Sequence, residues 1–260
     1  MITGGIDVGI ENIKAVVLQD GKVAGRGTGH SGGANRGRHA EEVWQAALKA
    51  AGVSASAVDK IVATGQGKYD VDFAQHRVVE PLADARAAKF LFPQARSVVD
   101  LGADQVRVVS FDDKGGIREV ALNAKCGAGI GLFLESMART LGMTTEEMAA
   151  SDSAAPAPAA VSDSCCVFGE LDAIALIHAN APRTQIVEAV HAAAATRINS
   201  VLNEKIKPEQ SNTVLVGGLS RSSGLVKALE KRSGISFLRP AEAEYAGALG
   251  AALIAAEEGV

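Results

Sequence analysis

The sequence predicts an α/β protein with two similar lobes, each built around a three-stranded meander. Two observations support this fold class: a stretch near the N-terminus recurs 93 residues later, and helical patterns alternate with short β-branched runs along the rest of the chain. The length of 260 residues suits one or two domains, and a content of 47% hydrophobic and 22% charged residues is typical of a folded globular chain.

The repeat pairs GIDVGIENIKAVVLQDGKV with VVDLGADQVRVVSFDDKGGI, and the matched positions from Asp7 to Leu18 need no gap. The matched positions include Asp7 with Asp100, Gly9 with Gly102, Glu11 with Asp104 and Lys14 with Arg107. Each copy is typical of two strands joined by a tight turn, followed by Asp-Gly or Asp-Lys-Gly-Gly and a third strand, because its β-branched runs are bounded by glycine and acidic residues. We therefore expect the same meander twice.

Helical periodicity and further β-branched runs predict the remaining elements. After the first copy we expect a helix over Ala40–Ala51 and a strand over Val58–Ala63. After the second copy we expect a strand over Thr213–Val216 and helices near Leu132–Leu141, Phe168–Ala179, Ile186–Ile206, Leu225–Lys231 and Ala241–Ala255. Ser151–Ser164, with its Ala-Pro-Ala-Pro, breaks the periodicity and predicts a surface excursion between two helices.

Charge and hydropathy exclude several classes of partner. The formal net charge is −4, so the chain lacks the basic surface that binds nucleic acid or an anionic membrane. The longest nearly apolar run, Tyr245–Ala256, is shorter than the roughly 18–20 residues that span a bilayer, and we expect a cytoplasmic protein. Three cysteines are too few for a disulfide framework in a chain of this size.

Glycine-rich turns follow three of the predicted strands. The segments Asp7-Val8-Gly9 and Asp100-Leu101-Gly102 combine a carboxylate with backbone that a phosphate can approach closely, and Gly217-Gly218 precedes a helix near Gly224. Polyphosphates need such backbone donors, and their Mg²⁺ prefers carboxylate and water oxygens. A Walker A loop is absent from the sequence, because neither Gly21-Lys22 nor Gly67-Lys68 is followed by Ser or Thr.

Paired meanders with these three loops resemble the actin, sugar kinase and Hsp70 superfamily of ATPases. Four later stretches are similar to the ATPase family that activates 2-hydroxyacyl-CoA dehydratases and benzoyl-CoA reductases: KCGAGIGLFLESMARTLG (125–142), CCVFGELDAIALI (165–177), VGGLSRSSGLVKALE (216–230) and EYAGALGAALIA (244–255). They keep the family's order and span most of the chain. The resemblance implies two actin-like (ribonuclease H-like) lobes with a nucleotide cleft between them.

The duplication and the resemblance together divide the chain into lobe I over residues 1–94, lobe II over 95–240 with the candidate cysteines, and a C-terminal helix, 241–260, that returns to lobe I. The resemblance also implies residue roles. Asp7, Gly9 and Lys14 match the first phosphate loop, Asp100, Gly102 and Asp104 the second, and Gly217, Gly218 and Gly224 the nucleotide-binding turn. Asp7, Asp100 and Asp104 are the candidate catalytic carboxylates for ATP and Mg²⁺.

Two loops depart from the family's pattern. Ile10 and Glu11 stand where hydroxyl residues are usual, and Asp104-Gln105 inverts the usual Gln-Asp order. The missing hydroxyls remove phosphate donors, and the inversion leaves open which carboxylate orients the attacking water. These departures favour weak catalysis by this chain.

The cysteines predict an iron–sulfur site only if two chains combine. Cys126 and Cys165 lie 39 residues apart, far from a CxxC spacing, so one chain does not supply four thiolates from a compact motif. In the family that the chain resembles, each subunit contributes two cysteines to one [4Fe–4S] cluster bridging a dimer; Cys126 and Cys165 match those positions, and Cys166 is the alternative to Cys165. Both cysteines precede predicted helices, whose N-termini favour thiolates. The glycines Gly127, Gly129 and Gly131 are expected to give a bulky inorganic core room.

The resemblance implies an electron-transfer ATPase that receives electrons from a ferredoxin and drives them into a partner reductase acting on an aromatic acyl-CoA, as in anaerobic aromatic degradation. The altered loops favour the short ATPase subunit of a benzoyl-CoA reductase, in a heterodimer with a homologous ATPase subunit. The alternatives are a homodimeric activator of a 2-hydroxyacyl-CoA dehydratase, an actin-like small-molecule kinase without a cluster, and a non-hydrolysing subunit. Gly29–Gly33 fits the G-x-S-x-G pattern of hydrolases, but the following GANRGR predicts a flexible loop instead of the required helix.

Overall fold

The computed structural model describes residues 1–123, 129–151, 160–204 and 212–257. The chain forms two compact units. The first unit comprises Met1–Val98, Val109–Arg118 and Pro240–Val260, and the second comprises Val99–Val108 and Glu119–Arg239. Each unit has its own hydrophobic core. The first unit therefore draws on both ends of the chain.

The described residues form groups of strands separated by one or more helices. The strands are β1 (Ile2–Val8), β2 (Asn12–Gln19), β3 (Lys22–His30), β4 (Lys60–Thr64), β5 (His76–Arg77), β6 (Ser97–Leu101), β7 (Val106–Phe111), β8 (Ile117–Leu122) and β9 (Thr213–Val216). The helices are α1 (Arg36–Ala51), α2 (Glu80–Leu91), α3 (Ile130–Thr140), α4 (Thr145–Ala150), α5 (Cys166–His178), α6 (Arg183–Glu204), α7 (Ser223–Ser233) and α8 (Ala246–Ala255).

The first sheet has the strand order β3-β2-β1-β4-β5. Strand β1 is antiparallel to β2 and parallel to β4. The β2–β3 hairpin closes on Asp20 and Gly21, both with positive φ, at 51° and 75°. Two consecutive positive φ values are the geometry of a type I′ turn, which Asp-Gly favours. The first predicted meander is confirmed.

The second sheet has the order β8-β7-β6-β9 and repeats the arrangement of the first four strands of the other sheet. In the β7–β8 turn, the Asp112 carboxylate accepts hydrogen bonds from the N–H groups of Lys114 and Gly116, both at 2.8 Å. These bonds hold the pKa of Asp112 below its usual value. The predicted duplication of the meander is thus confirmed, including its acidic turn.

Most predicted helices form close to their expected positions, with two corrections at their starts. Helix α1 begins at Arg36, so part of the GANRGR segment that we expected to be a flexible loop is helical. Helix α8 begins at Ala246 rather than near residue 241, because Ala243–Tyr245 form a 3-10 turn before it. Residues 152–159 of the predicted excursion lie outside the described residues.

Helices α2 and α4 were not predicted from the sequence. Helix α2 buries small side chains, namely Ala83, Ala85, Ala87 and Ala88, whose weak hydropathy contrast hides the helical period. Helix α4 has only six residues and begins with a capping box: Thr144 accepts from the N–H of Glu147, and Glu147 accepts from the N–H of Thr144. Both are short or small-residue helices that periodicity detects poorly.

Each core contains large buried aromatic side chains. In the first unit, Trp44 is buried and stacks on Phe73, with ring centroids 6.2 Å apart. In the second unit, Phe133 and Met137 of α3 belong to the same buried cluster as Ile198 of α6. These clusters fix the helices that carry the candidate site residues.

Helix α8 lies on strand β1 by backbone contact. A Cβ at Gly5 would overlap the carbonyl oxygen of Ala248, and the hydroxyl of Thr3 donates to the carbonyl of Ala252 at 2.9 Å. This close packing brings the start of α8 beside the end of β1. Among the described helices, α8 included, none has both the length and the apolar character needed to cross a bilayer.

Candidate functional site

The first candidate phosphate loop connects β1 to β2. Asp7, near the end of β1, lies directly opposite Lys14 of β2 in the antiparallel register. The N–H of Gly9 donates to the carbonyl of Asn12 at 3.1 Å, and a Cβ at Gly9 would lie 2.8 Å from that carbonyl oxygen. Glycine is thus required by the tight turn, and the Gly9 N–H is already committed within it.

The loop is held from one side by a buried serine. The hydroxyl of Ser31 donates to the carbonyl of Gly9 at 2.6 Å, and the N–H of Ser31 donates to the carbonyl of Glu11 at 2.9 Å. Ser31 is fully buried. This is the serine of the G-x-S-x-G match, and its hydroxyl is bound to backbone rather than presented to a substrate. Sequence analysis missed its role in supporting the loop.

Two further glycines surround the Asp7 carboxylate. Gly65, directly after β4, has φ of 88°, and a Cβ there would lie 2.5 Å from Oδ1 of Asp7. A Cβ at Gly247, in the first turn of α8, would lie 2.6 Å from Oδ2. Sequence analysis did not predict either position. The signal was present, because Gly65-Gln66-Gly67 follows a predicted strand as Gly217-Gly218 does.

The second loop has the same backbone geometry as the first. The N–H of Gly102 donates to the carbonyl of Gln105 at 3.0 Å, which matches the bond between Gly9 and Asn12. Asp100, near the end of β6, is paired with the Arg107 guanidinium, and their side chains are only 10% and 13% exposed. A largely buried ion pair in the second copy thus corresponds to the opposed Asp and Lys of the first.

The third turn brings Gly217 to Asp100. Gly217 has φ of 90°, and a Cβ there would overlap Oδ1 of Asp100. A Cβ at Gly218 would meet nothing within 4 Å, so Gly218 faces open space. Gly224, in the first turn of α7, is buried, and a Cβ there would lie 2.5 Å from the His191 ring. Packing therefore accounts for glycine at Gly224.

The second loop also contacts the start of α3. The N–H of Gly131 donates to the carbonyl of Ala103 at 2.8 Å, and a Cβ at Gly129 would lie 2.5 Å from the Cα of Asp104. We expected Gly129 and Gly131 to make room for an inorganic core. The structure shows that the backbone of the second loop occupies the space beside them. The second loop and the start of α3 are thus held together by a hydrogen bond and by close backbone packing.

Only one of the two candidate cysteine segments lies within the described residues. Cys126 and Gly127 lie outside the described residues. Cys165 is the N-cap residue of α5, Cys166 is its first residue, and both are half-buried thiols. Among the described side chains, no group of three or more His, Cys, Asp or Glu residues is arranged to hold a metal ion.

The surroundings of this cysteine pair fit an anionic cluster. The guanidinium of Arg197 donates to Sγ of Cys166 at 3.4 Å, and the N-terminus of α5 carries a partial positive charge. Positive charge near the sulfur ligands stabilises a cluster that carries net negative charge. A cationic side chain thus lies beside the candidate cysteine ligands at the start of α5.

Helix α5 presents an unusual apolar surface that begins directly after the cysteines. Its exposed large hydrophobic residues, which we call the α5 apolar face, are Val167, Phe168, Leu171, Ile174 and Ile177. Val167 is 63% exposed and Phe168 59%. Contiguous exposed apolar residues are typical of an interaction surface.

Comparisons with known proteins agree along nearly the whole chain. The profile of the BadF/BadG/BcrA/BcrD ATPase family matches residues 5–255. The activator of lactoyl-CoA dehydratase from Anaerotignum propionicum is 34% identical over 99% of this chain and 98% of its own length. A benzoyl-CoA reductase component from Thauera aromatica is 32% identical over 97% of this chain and 92% of its own length.

Solved structures show the same fold. The activator of 2-hydroxyisocaproyl-CoA dehydratase from Clostridium difficile, solved with bound ADPNP, has a TM-score of 0.89 and 30% identity, over 98% of this chain and 94% of that one. A ROK family glucokinase from Streptomyces griseus has a TM-score of 0.59 and 15% identity, over 98% of this chain and 99% of that one, which shows the fold alone. The predicted sugar kinase-like α/β fold is confirmed.

Proposed function

Because the chain belongs to the BadF/BadG/BcrA/BcrD ATPase family, we propose that it is an ATP-dependent electron-transfer subunit that activates a partner enzyme acting on an acyl-CoA. The observation that carries this proposal is the hydrogen bond from Gly131 to Ala103, at 2.8 Å. It joins the second candidate phosphate loop to the helix that follows Cys126. A change in that loop on nucleotide hydrolysis would move the start of α3 directly.

The two loops are proposed to bind ATP and its Mg²⁺. The N–H of Gly9 is already bound to Asn12, so contacts with phosphate fall to the next backbone groups, at Ile10 and Glu11. The carboxylate of Asp7 lies between two glycines and is proposed as a ligand of Mg²⁺ or of its waters. In the second loop, the half-exposed Asp104 is proposed to orient the attacking water.

Cys126 and Cys165 are proposed as this chain's ligands to a [4Fe–4S] cluster that two chains share. When bound, the cluster would accept one electron at low potential from a ferredoxin and release it to the partner enzyme. The chain's own residues are proposed to hold the cysteine ligand at the start of α5 and to form the contact between the two subunits. The α5 apolar face, next to Cys165, supports a second copy as the covering partner.

Among acyl-CoA enzymes, we propose a dehydratase activator that works as a homodimer. The 34% identity to the lactoyl-CoA dehydratase activator over 99% of this chain favours it. The short ATPase subunit of a benzoyl-CoA reductase, in a heterodimer, is the second candidate. The altered residues Ile10 and Glu11, together with the 32% identity to the Thauera aromatica reductase component, favour that alternative. No observation favours a small-molecule kinase beyond the shared fold.

Anaerobic purification of the chain expressed alone tests the proposal. We expect a brown homodimer with about four iron and four sulfide per dimer, whose ATP hydrolysis depends on Mg²⁺. A chain that acquires iron only when co-expressed with a longer ATPase would support the reductase candidate. A colourless protein without iron, whether alone or co-expressed, would refute electron transfer.

A further inference from the structure

Arg197 connects the two helices that follow the candidate cluster cysteines. From α6, its Nη1 donates to Sγ of Cys166 at the start of α5, at 3.4 Å. Its guanidinium carbon lies 5.5 Å from the ring centroid of Phe133, near the start of α3. The Phe133 ring is buried, and cation–π contacts favour this placement. One cationic side chain thus contacts both α3 and α5.

The two helices are packed against each other where Arg197 meets them. A Cβ at Gly169 of α5 would lie 3.0 Å from Cε2 of Phe133. Further along α3, the hydroxyl of Thr140 donates to Oε1 of Glu170 at 2.9 Å. These contacts hold the helix pair in one arrangement. The guanidinium therefore has a fixed position rather than sampling solvent like a surface arginine.

A fixed charge at this place acts on the ligand next to Cys166. Cys165 directly precedes Cys166, and consecutive Cα atoms are about 3.8 Å apart, so the Arg197 charge lies in the neighbourhood of this candidate ligand. Reduction adds one negative charge to a cluster, and a nearby positive charge stabilises that reduced state. The half-buried location of Arg197 limits screening by solvent and salt.

We propose that Arg197 is a positioning residue of the cluster site that raises the reduction potential of the cluster and, by binding Sγ of Cys166, leaves Cys165 as the ligand. This inference rests on the proposed function and deepens it. Outer-shell groups of this kind orient metal ligands and tune metal centres in other proteins. Arg197 contributes this charge through a sulfur that does not itself bind iron.

The test is a redox titration of the purified, iron-loaded dimer without ATP or partner, followed by electron paramagnetic resonance. Arg197→Gln and Arg197→Met remove the charge, whereas Arg197→Lys keeps it. Arg183→Gln, at the exposed start of the same helix, is the matched control for net charge. In both neutral Arg197 variants, we expect the equilibrium for electron uptake to be roughly tenfold less favourable, which lowers the reduction potential of the cluster by about 59 mV. The reduction potentials of the lysine variant and of the control should stay near that of the wild type.

Each result separates this inference from the proposed function. A wild-type dimer without a cluster would refute the function and this inference together. A wild-type cluster with equal potentials in Arg197→Gln and Arg183→Gln, or a more positive potential in Arg197→Gln, would refute the inference alone. Loss of iron from both neutral variants, while Arg197→Lys and Arg183→Gln retain it at the wild-type potential, would show a purely structural role and also overturn the claim about potential.

Discussion

Replacing Gly217 by alanine tests the geometry of the third turn. Gly217 has φ of 90° and ψ of 166°, a backbone region that is essentially restricted to glycine and costs other residues about 1–3 kcal/mol. The added Cβ would also overlap Oδ1 of Asp100 and lie 2.6 Å from the carbonyl oxygen of Leu101. Forced contacts of this kind cost about 1–3 kcal/mol more. We expect Gly217→Ala to lose about 3 kcal/mol.

The assay is urea unfolding followed by circular dichroism, combined with calorimetric titration of ATP. With a denaturant slope of about 1–3 kcal/mol per molar urea, the loss corresponds to a midpoint lowered by about 1 M or more. Gly218→Ala is the matched control, because a Cβ there meets nothing within 4 Å. The control should unfold like wild type. We expect weaker ATP binding in Gly217→Ala, because Asp100 must move.

Equal unfolding midpoints for Gly217→Ala and Gly218→Ala would refute this reasoning, since only one of the two sites is strained and closed. Weaker ATP binding by Gly218→Ala at unchanged stability would indicate that the open space beside Gly218 receives the nucleotide.

Three further predictions concern the second unit. Cys165→Ala should lose cluster iron, measured chemically after anaerobic purification, whereas Cys166→Ala should retain most of it. Burial lowers the pKa of His191 to about 4, so the unfolded chain binds more protons than the folded chain between about pH 4 and 6.5. The free energy of unfolding should therefore fall by up to about 3 kcal/mol as the pH drops through that range, and His191→Leu should flatten this dependence in urea titrations. Gly129→Ala should displace α3 from the second loop, and ATP hydrolysis should persist while electron delivery to the partner fails.

Each of these three predictions has its own control or its own contradicting result. Equal iron loss in both cysteine variants would refute the assignment of Cys165. An unchanged dependence of the unfolding free energy on pH in His191→Leu would contradict the burial argument. Normal electron delivery by Gly129→Ala would show that contact between α3 and the loop is dispensable.

The sequence predicted the repeated meander well because its signals are local. Asp20-Gly21 specifies its own turn, and the bonds at Gly9 and Gly102 close within four residues. The contact between Gly65 and Asp7 was missed, because it depends on the register of β1 against β4, which no local pattern fixes. The sequence therefore predicted the loops of the candidate site, but not the residues, such as Gly65, that surround these loops.

The neighbours of the site glycines were not predicted, for a similar physical reason. A glycine indicates a close approach without naming what approaches. At Gly129 the neighbour is the backbone of Asp104, and at Gly224 it is the ring of His191. The contact between Arg197 and Cys166 joins positions 31 residues apart through helix packing. Such neighbours follow from the assembled core and not from composition or spacing.

The first unit includes both Met1–Val98 and Pro240–Val260, which lie far apart in the sequence. On a ribosome, β1 therefore emerges well before α8, the helix that packs on it. At about 5–20 residues per second, the roughly 140 intervening residues take on the order of ten seconds. During that time the first sheet lacks helix α8, and molecular chaperones can bind the surface that α8 later covers.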